Sequence, residues 1–115
     1  MTEAELLREV LRLASEYGVL AHHCGDSRLC QGDAGMPDVF LVGSEHVMWA
    51  ELKSDTGGTT PDQTTFKWRL LSCGQHRALW RPSHLHDGTV DAAMAWLHSR
   101  EGTHMPRKVR ESIYT

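Results

Sequence analysis

The chain has 115 residues, 15 of them acidic and 12 basic, for a formal net charge of −3. That length suits one compact domain with no room for a second, and an apolar fraction of 40% with a charged fraction of 23% is ordinary for a soluble globular protein. No apolar run approaches the roughly 18 residues needed to cross a bilayer, and the polar start Met1-Thr2-Glu3-Ala4-Glu5 is unlike a secretory signal, so a cytoplasmic location with no membrane partner is expected.

Residues 3 to 17 predict an amphipathic helix. Leu6, Val10, Leu13 and Tyr17 recur at helical spacing, and Leu7, Leu11 and Ala14 widen the stripe. Thr2 with Glu5 makes a capping-box pattern, and Gly18 is the stop. Val19 to His23 is a short strand candidate. Residues 24 to 36, rich in Gly, Asp and Ser, read as a loop. Asp38 to Val42 is the next strand. After a turn at Gly43-Ser44-Glu45, Val47 to Lys53 should pair back as a hairpin.

The polar stretch from Ser54 to Thr60 connects to a helix capped by Thr60, with Pro61 in its first turn. That helix should run to about Cys73, with Phe66, Leu70 and Cys73 on one face and Gly74 at its end. Gln75 to Arg81 is a strand closed by Pro82. A last helix is expected from about Val90 to Ser99, and residues 100 to 115 read as a basic arm, mobile or docked on a partner chain. The order α-β-β-β-α-β-α predicts an α/β domain over residues 1–99, a mixed sheet flanked by helices.

Cys24, Cys30 and Cys73 are too few for a disulfide framework and read as free thiols. With His22 and His23, the first two make a poor zinc pattern. The net charge is awkward for a phosphate binder, so local cations matter more: Lys67, Arg69, Arg77, Arg81, Arg107, Lys108 and Arg110.

The chemistry gathers around the predicted hairpin. Side chains alternate along a strand, so Glu51 and Lys53 share a face. Pairing places Asp38, at the start of one strand, across from the end of the other. Two carboxylates and an ammonium then meet at one sheet edge. Magnesium takes oxygen ligands, commonly one or two carboxylates with waters and phosphate oxygens, and the Leu52 carbonyl lies between the two side chains. Lys53 would orient or deprotonate a water, or hold a phosphate.

The segment Pro37-Asp38, twelve residues and then Glu51-x-Lys53 resembles the PD-(D/E)XK nuclease signature, and the element order resembles that superfamily's restriction-endonuclease-like αβββαβ core. Gly35-x-Pro37-Asp38, Glu51-Leu52-Lys53-Ser54, Gln63, Gly74 and Trp80-Arg81-Pro82-Ser83 resemble the VRR-NUC family, especially its small stand-alone phage and bacterial members. The resemblance spans about Glu3 to Leu97. It implies a Mg²⁺- or Mn²⁺-dependent endonuclease in which Asp38, Glu51 and Leu52 hold the metal, Lys53 assists, and Gln63 and a first-helix acid support. Glu3 is the best match for that acid, with Glu5, Glu9 and Glu16 as competitors. Lys67 lies one turn beyond Gln63 on the same face.

Branched, Holliday-junction-like DNA is the implied substrate. A chain this small cannot span a four-way junction, so a homodimer follows, with Met94, Trp96 and Leu97 as its contact. The rival readings are a nuclease on flap or plain duplex DNA and a nuclease-fold module that binds DNA or protein without cutting. Asp26, Ser27 and Arg28 read as a solvated loop, Asp55 to Gly58 as a connector, and the four tryptophans as core or interface. His23 reads as a strand-end residue near the metal site, although a lone histidine is more often structural, and the scattered histidines take no role.

Overall fold

The computed structural model describes residues 1–24 and 30–114. Asp26, Ser27 and Arg28 lie outside the described residues. Helix α1 (Glu3–Tyr17) forms where the stripe predicts it, with both capping-box bonds present and Gly18 left-handed at its end. Strands β1 (Leu20–His23), β2 (Val39–Val42) and β3 (Val47–Leu52) follow, then helix α2 (Pro61–Ser72) and strand β4 (Arg77–Trp80). Three further helices follow among the described residues: α3 (Pro82–His86), α4 (Thr89–Leu97) and α5 (Arg107–Ile113).

The four strands lie in the order β1-β2-β3-β4. The first two pairs are antiparallel and β3 runs parallel to β4. The fold is thus an α/β domain with a mixed four-stranded sheet flanked by helices, as expected. The parallel pair needs a crossover, and α2 supplies it.

One sheet face carries Val39, Leu41, Met48, Ala50, Leu52, Ala78 and Trp80, each at most 3% exposed. Leu6, Val10 and Leu13 of α1, Val90, Ala93, Met94 and Leu97 of α4, and Val109 and Ile113 of α5 join them in one core. The opposite face is covered only in part. Phe40 stacks on Trp49 there, ring centroids 4.2 Å apart, and both remain half-buried. Lys67 is the buried residue of α2, whereas Phe66 and Leu70 are half-buried and Cys73 is exposed.

Four expectations change. Residues 107–113, read as part of an arm, form α5 and dock on their own chain. Val109 and Ile113, one helical turn apart, are enclosed, and the Trp80 indole N–H donates to Ser112 Oγ at 3.3 Å. Met94, Trp96 and Leu97, read as a dimer contact, are 0%, 7% and 0% exposed; α1 and α5 use that surface. Cys24 and Cys30, read as free thiols, are joined as a disulfide with Cα atoms 6.4 Å apart, within ordinary reach; Cys73 is the free thiol. The strand expected from Gln75 to Arg81 spans only Arg77–Trp80, and Pro82 opens the short helix α3. Among the described residues no helix is long and apolar enough to cross a membrane.

Two glycines fix how the loops meet this frame. A Cβ on Gly43 would lie 1.8 Å from the Leu97 carbonyl oxygen, so the β2–β3 turn seats directly on the end of α4. A Cβ on Gly35 would lie 2.3 Å from the Asp62 backbone, and its φ of 92° is left-handed. Only glycine satisfies both demands, and the segment leading into Asp38 is thereby pressed against the start of α2.

Candidate metal centre at the strand ends

Val39 pairs with Ala50, so the register carried one residue further sets Asp38 opposite Glu51. Asp38 Oδ2 accepts the Leu52 N–H at 2.7 Å. That bond fixes the carboxylate across the end of β3. Leu52 carries its carbonyl on the same strand edge as that N–H. The Lys53 N–H donates to the Trp80 carbonyl at 3.0 Å, which extends the β3–β4 pairing past Glu51. Asp38, Glu51, Leu52 and Lys53 therefore converge as the hairpin requires.

Glu51 is the unusual member. It is 1% exposed, and neither carboxylate oxygen finds a hydrogen-bond donor. Burial, followed by the nearby negative charge of Asp38, raises its pKa to about 8, against the smaller opposing pulls of Lys53 and Arg77. A buried carboxylate without donors is costly, and two carboxylates sharing a site hold one proton between them. Near neutral pH the Glu51 carboxyl keeps its proton and can donate it to Asp38.

A cleft of about 240 Å³ opens beside Asp38, lined by Glu3, Ala4, Leu7, His23, Cys24, Asp38 and Leu52; Glu51 does not line it. The start of α1 brings Glu3 to the wall. The end of β1 brings His23, the strand-end histidine expected near this site. Among the described residues no group of three or more His, Cys, Asp or Glu side chains has metal-holding geometry. Glu3 shares the cleft without completing such a set. Two carboxylates and one carbonyl nevertheless suit a hard cation that keeps several waters.

Gln63 has a structural task. Its Oε1 accepts the Thr60 N–H at 2.9 Å, and its own N–H donates to Thr60 Oγ1 at 3.2 Å. This capping box fixes the start of α2. Arg81, a candidate for phosphate contact, instead donates from Nη1 to the carbonyls of Ser54 and Gly57, each at 2.7 Å. It ties down the loop that follows Lys53. Lys67 and Arg77 are only 7% and 2% exposed, too enclosed for DNA phosphates. Arg69, Arg107, Lys108 and Arg110 are exposed.

In comparisons with known proteins, no protein-family model, curated protein or solved structure matches the chain.

Proposed function

We propose that this protein is a metal-dependent endonuclease that hydrolyses phosphodiester bonds in DNA, with a PD-(D/E)XK site of VRR-NUC type and branched, Holliday-junction-like DNA as substrate. The observation that carries this reading is the pairing of Asp38 with a buried, donorless Glu51 at the strand ends. Such a pair is expensive to fold around, and a divalent cation in place of the shared proton would repay it. Mg²⁺ or Mn²⁺ would be held by Asp38, Glu51 and the Leu52 carbonyl. When bound, the ion would supply charge stabilisation for a phosphoryl transition state and a more acidic water.

The chain's own residues account for the rest. The Leu52 N–H orients Asp38. Lys53, on the Glu51 face of the sheet, holds the attacking water or the scissile phosphate. Glu3 and His23 border the space that water and phosphate would enter. Gln63 supports the site through the start of α2, against which Gly35 and the Asp38 segment pack. A second copy of the chain would supply the second cut, through a surface other than α4.

Cleavage of labelled four-way junction, fork, flap, duplex and single-stranded DNA, each with Mg²⁺, Mn²⁺ or EDTA, tests the proposal. Metal-dependent cuts that Glu51→Ala abolishes support a nuclease, and paired symmetric cuts in the junction support the branched substrate. Cutting confined to flap or duplex DNA would replace that substrate. A folded wild type that binds DNA and cuts nothing would leave a binding module.

A further inference from the structure

The cluster around Glu51 contains a cation that the proposed reaction leaves unused. Arg77 opens β4 and is 2% exposed. In the parallel register it pairs with Trp49, while Leu79 pairs with Glu51. Arg77 and Glu51 are thus diagonal neighbours on one sheet face, at a separation that long side chains bridge. Arg77 Nη1 is enclosed and finds no acceptor, just as the Glu51 oxygens find no donor. The two groups also feel each other's charge, and Asp38 adds to the attraction. Lys67, on the helix above, is disfavoured in its charged form by its burial and then by Arg77.

A guanidinium removed from water without a full set of acceptors is destabilising. Arg77 is too enclosed to recover that from a DNA phosphate, and the anions that face it are Glu51 and Asp38. Resting on the reading of Glu51 as a metal ligand, we propose that Arg77 is a positioning residue for that carboxylate. With a divalent cation held at this site, the Arg77 guanidinium would donate a hydrogen bond to the Glu51 carboxylate and hold its orientation. Carboxylates that ligate metals are held in this way by hydrogen bonds from residues behind them.

The test is Mn²⁺ binding to the full chain, followed by electron paramagnetic resonance, for wild type, Arg77→Met, Arg77→Lys and Glu51→Ala, with thermal melts to verify folding. Arg77→Met should weaken Mn²⁺ binding by about 10- to 100-fold, and Arg77→Lys, which keeps a charged donor, should recover part of the loss. On DNA, kcat should fall while KM stays within about twofold, because Arg77 does not reach the substrate. A folded Arg77→Met with wild-type Mn²⁺ affinity, beside a Glu51→Ala that has lost it, overturns the proposal and leaves the nuclease reading intact. A raised KM with unchanged kcat overturns it as well, by making Arg77 a DNA contact. If Arg77→Met does not fold, Arg77→Gln replaces it under the same criteria. A wild type that binds no Mn²⁺ defeats the underlying reading and this proposal together.

Discussion

The two faces of the sheet are built from the same four strands and do opposite work. On one face the inward residues are aliphatic or aromatic and almost wholly enclosed by α1, α4 and α5. On the other, Glu51, Arg77 and the α2 residue Lys67 are also buried yet ionisable, and the Glu51 oxygens and Arg77 Nη1 find no hydrogen-bond partner. Burial of apolar surface stabilises the first face at roughly 25 cal/mol per Å². Burial of charge costs free energy on the second unless something pairs with it. A domain of this size stands only about 5–15 kcal/mol above unfolding, so the second face is a deliberate concession, and the first is what allows it.

That division can be broken from either side. The largest effect should come from Glu51→Ala. Loss of a metal ligand worth several kcal/mol in the transition state should lower cleavage at least ~10³-fold, while the melting temperature at pH 8 holds or rises. A melt that falls steeply instead would make Glu51 a structural residue. The converse variant is Ile113→Ala on α5, 1% exposed in the core. It should cost ~2–5 kcal/mol in denaturant unfolding, with cleavage per folded molecule retained. If stability hardly changes, α5 is peripheral and the concession is supported elsewhere.

Glu51→Gln sharpens the comparison through pH. The Glu51 pKa is raised from 4.5 to about 8 in the folded chain, so between those values the native state binds a proton that the unfolded state has released. Stability then falls as pH rises through this window and levels off above it. The amide removes that slope. At pH 5 the variant should melt within a degree or two of wild type; at pH 9, without metal, it should be more stable by ~1–3 kcal/mol, or roughly 5–15 °C. Parallel stability curves for the two proteins from pH 5 to 9 would remove the charge concession altogether.

The smallest contrast lies within one strand. Leu41 points to the enclosed face and Phe40 to the half-covered one. Leu41→Ala should cost ~2–5 kcal/mol. Phe40→Ala should cost ~1 kcal/mol, mainly its stack on Trp49. Equal losses in urea unfolding would show that the second face is covered as completely as the first.

Much of this arrangement was legible in the residues. Helix α1 carried a capping box, an apolar stripe and a terminal glycine, all local signals, and it begins and ends where they place it. The hairpin could be read because alternation and the turn at Gly43 set its register, and register brings Asp38 to Glu51. What escaped depends on contacts distant in sequence. Arg77 and Lys67 read as surface cations because charged residues are mostly exposed; the hint was that Arg77 shares strand parity with Leu79. Helix α5 was hidden in a basic segment, where only Met105, Val109 and Ile113 keep an i, i+4 apolar spacing. Pro106, just before it, was the boundary signal. The Cys24–Cys30 disulfide could not be inferred from three cysteines, since three thiols allow more than one pairing.

The most direct test of the central claim is calorimetric titration of Mn²⁺ into wild type and Glu51→Gln at pH 7, in two buffers of different ionisation enthalpy. Since the ion must displace the proton held by Glu51, wild type should bind Mn²⁺ with release of about one proton, and Glu51→Gln should bind at least about tenfold more weakly with none. Equal affinity and equal proton release in the two proteins, or no binding by wild type, would contradict a metal centre at the ends of these strands.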